Sequence, residues 1–313
     1  MAIHTNIKKR RFELKMSQQE LADAMGYKSR STIAKIEAGE NDIPHSKLSR
    51  FAQVLDTTVE NLMSGTASSP LPAVHTAASG HRKHVAIILA GGKSTRNSQN
   101  IPSQFVNVQG KPVIIYCLET YQRHPSVSDI FVVCLKGWEG ILQSYIQQYN
   151  ISKLRKILPA GESGILSAKI AIDHILQNYD PDTTVILQES TRPLVREEMI
   201  SRLLPACHEL GNAVTIERMD DYLQFYEEAG QINYIDRRRL VNFQSPEAYT
   251  LSTLQALFSS AADKHHSLEE SCCAMLMYKL GFPLHLCEGG RNNIKILRQE
   301  DISIFRALLN EIT

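Results

Sequence analysis

The chain has 313 residues, too many for one small domain and suited to a small domain joined to a larger one. Hydrophobic residues make up 43% and charged residues 21%, the composition of a soluble chain that buries a core, while a net charge of +1 says little about the whole. No apolar run approaches the ~20 residues needed to span a bilayer, and the basic cluster near the N-terminus is followed by no apolar stretch of the signal-peptide kind. The six cysteines, Cys117, Cys134, Cys207, Cys272, Cys273 and Cys287, show no CxxC spacing and mostly sit in apolar periodic segments. Buried, reduced thiols are expected, in a cytoplasmic protein with neither disulfides nor a zinc site.

Residues 4–62 carry five short helical patterns. Ile7, Phe12 and Leu14 lie on the first, Leu21, Ala22 and Met25 on the second, and Ile33, Ala34 and Ile36 on the third. Leu48, Phe51 and Leu55 mark the fourth, Val59 and Leu62 the fifth. The second and third are the informative pair. Ser17 and Ser29 stand where they can cap them, and Gly26 sits in the turn between. That layout predicts a DNA-reading helix-turn-helix with the third helix as reader. Ser29, Arg30, Ser31, Thr32 and Lys35 would then point outward, Arg30 able to make a bidentate contact with guanine, and Gln18 and Gln19 could anchor a phosphate. Up to Gly65 there are only ten Lys and Arg against eight Asp and Glu, so DNA affinity would rest on clustered cations such as Lys8 to Arg11. The alternatives are a solvated polar face, or a module for protein contacts.

From Thr66 to Gly80 the chain is rich in Ser, Ala and Pro without amphipathic period, and residues 66–83 read as a linker. Beyond it the pattern alternates strand and helix. Val85–Ala90 is a continuous apolar run ending in Gly91-Gly92, as in a buried parallel strand meeting a phosphate-sized turn. Helices are expected over Ile114–Tyr121, Ile141–Tyr149, Ser167–Gln177 and Glu197–Leu210, with strands over Ile130–Leu135, Lys156–Leu158 and Thr184–Gln188. Repeated βα units imply a doubly wound, Rossmann-like parallel sheet with its ligand at the carboxyl ends of the strands.

The chemistry concentrates in Leu89-Ala-Gly-Gly-Lys-Ser-Thr-Arg96. A buried strand running into a small-residue turn exposes backbone N–H groups to phosphate, and Arg96 arrives to neutralise it, which suits a nucleoside triphosphate. Alone, a Gly-Gly turn is more often a plain connection. Asp236-Arg-Arg-Arg239 reads as a second nucleic-acid patch or, more simply, a solvated face, His265-His266 lacks a third ligand at metal spacing, and Trp138 reads as packing.

Two resemblances sharpen these readings. Over about residues 4–63 the chain resembles the lambda-repressor/Cro-type helix-turn-helix family. Residues 84–313 resemble the 2-C-methyl-D-erythritol 4-phosphate cytidylyltransferases and the related ribitol-5-phosphate cytidylyltransferases. Ala90 to Arg96 looks like that family's nucleotide loop, Pro102-Ser-Gln-Phe105 stands in place of its Pro-Lys-Gln segment, and Glu189-Ser-Thr-Arg-Pro193 in place of Asp-Ala-Ala-Arg-Pro. Glu288 to Lys295 is similar to the segment ending in Asn-Ile-Lys. The resemblance implies transfer of a cytidylyl group from CTP to a sugar-alcohol phosphate with Mg²⁺, releasing pyrophosphate. It gives nucleotide contacts to Ala90, Gly91, Gly92, Lys93, Ser94, Gly161 and Ser167, triphosphate binding to Arg96, the reacting phosphates to Lys295, support to Arg192, and approach to Mg²⁺ to Glu189. It also makes the region of Asp236–Arg239 an arm for a homodimer.

The departures matter as much. The family lysine of the Pro-Lys-Gln segment is Ser103, a loop glycine is Ser94, and the arginine expected three residues before Ser167 is Gly164, while Lys93 or Lys111 could partly compensate. The Arg-Asp-Thr segment reads Met219-Asp220-Asp221, whose carboxylates repel phosphate; Ser245-Pro-Glu247 and Leu268-Glu-Glu270 are altered loops. The sequence therefore leads to an all-α five-helix DNA-binding domain over 1–65, a linker over 66–83, and an α/β nucleotidyltransferase domain over 84–313. The expected function is a transcriptional regulator that binds double-stranded DNA and senses CTP, a CDP-alcohol or a sugar phosphate, with weak or lost catalysis. The alternative is an active cytidylyltransferase that also regulates its own genes.

Overall fold

Ser17 and Ser29 start their helices as their positions predict. In the computed structural model, which describes residues 3–14, 16–27, 29–41, 43, 45–55, 57, 62, 83–97, 101–219 and 223–312, the first elements are α1 (Ile3–Glu13), α2 (Gln18–Met25), α3 (Arg30–Ala38) and α4 (His45–Val54). Ser17 Oγ accepts from the Glu20 amide and Glu20 returns the bond to the Ser17 amide, a full capping box. Gly26 closes α2 at φ 73°, a left-handed conformation that glycine enters without strain. Ile7, Leu21, Ile33, Phe51 and Leu55 form one core, joined by Leu62. Four of the five expected helices are present; the fifth falls mostly outside the described residues, as does nearly all of the expected linker.

Contacts divide the chain into two units, Met1–Ser79 and Gly80–Thr313. The second unit runs β1 (His84–Ala90), a 3-10 turn at Ser103–Phe105, β2 (Asn107–Val108), β3 (Lys111–Pro112), α5 (Val113–Arg123), β4 (Val127–Cys134), α6 (Glu139–Gln148), β5 (Leu154–Pro159), α7 (Gly164–Leu176), β6 (Thr184–Glu189) and α8 (Glu197–Leu210). It continues with β7 (Asn212–Arg218), β8 (Gln224–Glu228), β9 (Gln231–Ile235), β10 (Val241–Thr250), α9 (Leu251–Asp263), α10 (Cys273–Leu280), β11 (Leu286–Glu288) and α11 (Gln299–Ile312). The main sheet has the order β11-β7-β10-β6-β1-β4-β5.

The unbroken apolar run of β1 follows from its place at the centre of this sheet. Ala86 and Ile88 join a core with α5 and α8 on one face, while Val85 and Ile87 join a second with α7, α9 and α10 on the other. β1 pairs in parallel with β4 and β6, and β4 with β5, as βα alternation requires. The sheet is nevertheless mixed and not parallel throughout: β10 lies antiparallel between β6 and β7. The chain returns from β7 to β10 through the β8–β9 hairpin without a crossover helix, and such a return gives antiparallel pairing. β10 was hidden in the sequence because it is polar and contains Pro246, which follows a cis peptide bond at a break in register.

Candidate functional site

β1, β6 and the first turn of α7 converge on a cavity of about 600 Å³ at the carboxyl ends of the parallel strands. Its first wall is the loop after β1. Gln104 stitches this loop from behind, its amide donating to the carbonyls of Ala90 and Gly92, each at 2.9 Å. The Ser103 amide and hydroxyl both donate to the Ser94 carbonyl, at 3.0 and 3.2 Å. With those carbonyls held back, Gly91, Gly92, Lys93 and Ser94 line the cavity. Gly91 is required by packing, since a Cβ there would lie 2.6 Å from that of Ala160.

The second wall is the start of α7. Ser163 caps the helix by accepting from the Leu166 amide, and the Gly161 amide donates to Ser167 Oγ at 3.1 Å. A 13-residue helix thus directs the positive end of its dipole at the cavity, where an anion is favoured. The place of the expected arginine, Gly164, has no room for a side chain: a Cβ would lie 2.8 Å from the Ser271 carbonyl oxygen.

The floor carries the charge. Glu189, ending β6, is held by Lys295 through Oε1 and by the Arg192 Nε through Oε2 at 2.8 Å, and Arg192 also donates to the Asn293 carbonyl at 2.7 Å. Burial acts to raise the Glu189 carboxyl, but Lys295 and Arg192 outweigh it, and its pKa lies below the usual carboxylate range. Beside it, Glu247 is 8% exposed. Burial, with the Glu189 charge adding to it, pushes the Glu247 pKa up to about 7 against a 2.5 Å hydrogen bond donated by Tyr249. Burial, followed by the Glu247 charge, likewise raises Cys272 to about 11, so this cavity-lining cysteine is a neutral thiol near pH 7 and a poor nucleophile.

The structure therefore brings together Gly91, Gly92, Lys93, Ser94, Gly161, Ser167, Glu189, Arg192 and Lys295 around one cavity. It leaves two expected residues off the lining. Ala90 is fully buried behind the loop, and Arg96 is exposed beyond it, its Nε 3.4 Å from Ser94 Oγ. Lys111 is also elsewhere, paired with Glu119 at 2.8 Å. Sequence reasoning missed the roles of Gln104, Ser245 and Asn293. Ser245 Oγ accepts from the Glu189 amide, and the Asn293 amide donates to the Ser245 carbonyl at 2.7 Å. Their signal was polarity next to strand ends, which is shared with any surface loop. Asp220 and Asp221 lie outside the described residues.

The other expectations resolve simply. Trp138 stacks on Phe105 at 4.6 Å, the described cysteines are all free, and His266 meets Glu270 at 3.1 Å. Arg238 pairs with Asp236 in a short 3-10 turn. Among the described residues no three His, Cys, Asp or Glu side chains gather as a metal cage, and no helix is long and apolar enough to cross a membrane.

In the small unit the cations sort differently from the sequence reading. Arg11 is buried and grips Glu37 with two bonds, at 2.6 and 3.0 Å, while Arg10 donates to the Leu55 carbonyl and pairs with Glu13. Half of the Lys8–Arg11 cluster is thus spent inside the fold. Gln18 also turns inward, donating to Glu37 at 2.9 Å. Gln19 is exposed and bonded to Asp23, Ser29 caps α3, and Thr32 is half-buried. Arg30, Ser31 and Lys35 are left as the exposed polar residues of α3 among those expected to read DNA.

Comparison with known proteins agrees with both halves. A helix-turn-helix family model matches residues 7–62, and the 2-C-methyl-D-erythritol 4-phosphate cytidylyltransferase model matches residues 84–311. A ribitol-5-phosphate cytidylyltransferase of Lacticaseibacillus paracasei is 33% identical over 228 residues, covering 72% of this chain and 97% of that protein. A 2-C-methyl-D-erythritol 4-phosphate cytidylyltransferase of Syntrophus aciditrophicus is 27% identical over 73% of this chain and 97% of its own length. The crystal structure of the 4-diphosphocytidyl-2C-methyl-D-erythritol synthase from Anaerococcus prevotii superposes with a TM-score of 0.61 at 21% identity, over 74% of this chain and 97% of that one, a likeness of fold. Residues 84–311 thus make this chain a member of the 2-C-methyl-D-erythritol 4-phosphate cytidylyltransferase family, fused to a helix-turn-helix domain.

Proposed function

We propose that this protein is a DNA-binding transcriptional regulator whose cytidylyltransferase-fold domain binds CTP or a CDP-alcohol as a signal, with catalysis weak or lost. The observation that carries the reading is Ser103. It is 3% exposed and its hydroxyl is committed to the Ser94 carbonyl, so no cation stands where the family places its lysine. A neutral hydroxyl that ties down the nucleotide loop supports binding but supplies no charge to a transition state, a loss on the order of 10²–10³ in rate.

The remaining groups suit nucleotide binding. Lys93, Arg192, Lys295 and the α7 dipole favour a triphosphate. Glu189 fits Mg²⁺ in the usual way of nucleotide sites, one carboxylate with the remaining ligands drawn from phosphates and water. When bound, Mg²⁺ would neutralise phosphate charge; Lys295 and Arg192, released in part from Glu189, would then face the phosphates directly. Glu247, neutral below about pH 7, spares the triphosphate a second carboxylate charge.

On the DNA side, Arg30, Ser31 and Lys35 would enter the major groove, with Gln19 near a phosphate. The β8–β9 hairpin exposes Ile232, Phe225 and Tyr234, at 76, 56 and 56%, and supports a homodimer formed through this arm. A dimer would place two recognition helices on half-sites about 34 Å apart or a multiple of that. The signal requires different nucleotide affinities for two arrangements of that dimer.

A second reading, favoured by the intact Glu189–Arg192–Lys295 cluster, is a working cytidylyltransferase for a sugar-alcohol phosphate, with DNA binding as feedback. There a phosphate oxygen of the acceptor bonds to the CTP α-phosphorus, the bond to the bridging oxygen breaks, and pyrophosphate leaves. The two readings separate on turnover with CTP, Mg²⁺ and ribitol 5-phosphate: the first expects CTP binding by calorimetry without appreciable pyrophosphate release, the second both.

A further inference from the structure

The cavity wall that follows β1 lacks the cation expected of it, and the basic residues nearby differ in how free they are to replace it. Ser103 is neutral, 3% exposed and bonded to Ser94. Gly164 has no room for a side chain. Lys111 is held by both oxygens of Glu119 at 2.8 Å and lies over the rings of Tyr116 and Tyr149. Arg96 is exposed beyond the lining. Among the described residues the lining cations are therefore Lys93, Arg192 and Lys295.

These three are not equivalent. Arg192 and Lys295 both hold Glu189, and Arg192 also donates to the Asn293 carbonyl. Each must give up part of a bond before it meets a phosphate. Lys93 is exposed, and among the described residues no carboxylate pairs with it. Its ammonium gives up only water. The backbone on either side of it is pinned, because Gln104 holds the Gly92 carbonyl at 2.9 Å and Ser103 holds the Ser94 carbonyl. Lys93 is thus a free cation on a fixed loop. A lysine carries its charge on a flexible four-carbon stem, so a position on the lining brings phosphates in the cavity within its reach. Coulomb attraction grows with ligand charge, and an unpaired cation favours a triphosphate over a monophosphate of the same nucleoside.

We propose, on the nucleotide reading of this cavity, that Lys93 supplies the counter-charge missing at Ser103 and is the residue by which the site prefers a nucleoside triphosphate to the monophosphate. The positive charge of the site has moved from one end of the loop to its middle.

Calorimetric titration of the full-length protein with CTP and with CMP, both with Mg²⁺, tests this. Lys93→Gln weakens CTP binding about tenfold or more, the worth of a charge-assisted contact, and CMP binding less than about threefold. Lys93→Arg keeps most of the CTP affinity. Lys93→Gln/Ser103→Lys, which puts a cation back at the other place, recovers CTP binding to within about threefold of the unmodified protein, a result that a purely structural role for Lys93 does not allow. Melting temperatures equal to that of the unmodified protein separate loss of charge from loss of fold. CTP affinity unchanged in Lys93→Gln, equal losses for CTP and CMP, a larger loss in Arg96→Gln than in Lys93→Gln, or no recovery in a double variant that melts normally would each overturn the proposal. Any of these leaves the nucleotide reading standing, whereas absence of CTP binding by the unmodified protein overturns that reading and the role of Lys93 with it.

Discussion

Both halves of this chain place a carboxylate between two basic or amide-bearing partners, and the two arrangements do different things. Glu37 is gripped by Arg11 and Gln18 inside the helix-turn-helix domain, where the side chains of the ion pair are 5% and 2% exposed. Glu189 is gripped by Arg192 and Lys295 on the floor of a cavity, where it and Lys295 remain about one-third exposed. The first cluster is closed, with the Glu37 side chain 2% exposed and out of reach of a ligand. The second is open on one side, which leaves its cations within reach of an anion. Burial, and not residue type, separates an ion pair closed to ligands from one that is open to them.

Removing the closed cluster's carboxylate gives the largest effect. Glu37→Ala leaves Arg11 buried and unpaired and costs about 3–5 kcal/mol, enough to unfold a small domain; loss of DNA binding and of the first melting transition, with CTP binding intact, is the expected pattern. Ser103→Lys acts on the open cluster. It adds the missing cation beside the phosphate loop and raises pyrophosphate release about 10²-fold, read as kcat/KM; a flat response would mean that Ser103 is not what limits turnover. Arg30→Ala lies outside either cluster and tests that contrast, costing about 1–3 kcal/mol in DNA affinity without moving the melting temperature.

The smallest effect is a pH profile. Glu247 has a raised pKa in the folded protein, so its contribution to stability is fully present at acid pH, below the value it has when unfolded, and is lost as pH rises through about 7. A bound triphosphate raises that pKa further, so CTP affinity also declines above neutrality. Glu247→Gln flattens both dependences between about pH 5 and 8; calorimetry and thermal melts across that range would reveal an unchanged slope if another group were responsible.

The helix caps, the alternation of strand and helix, and the glycine loop were legible because each is a local pattern. Ser17 and Gly26 act on neighbours in sequence or through a backbone conformation that glycine meets, whereas Gly91 was legible as part of a turn and its packing against Ala160 was not. β10 was not legible, because its order comes from pairing with β6 and β7 and its own residues are those of a loop. Gln18 illustrates the same limit on a smaller scale: on α2 it reads as a phosphate anchor, yet Glu37, 19 residues away, draws it inward. Arg96 carries the expected residue type but lies outside the cavity lining, and Ser103 proved informative through its bond to Ser94, which no sequence pattern reveals. The role of Gly164 likewise emerged only with Ser271 beside it.

The most direct test is pyrophosphate release by the unmodified protein with CTP, Mg²⁺ and ribitol 5-phosphate, run beside a Lys295→Ala control. The account predicts release indistinguishable from the control while CTP binding remains measurable. Rapid release that Lys295→Ala abolishes would contradict it and make the large domain a working cytidylyltransferase.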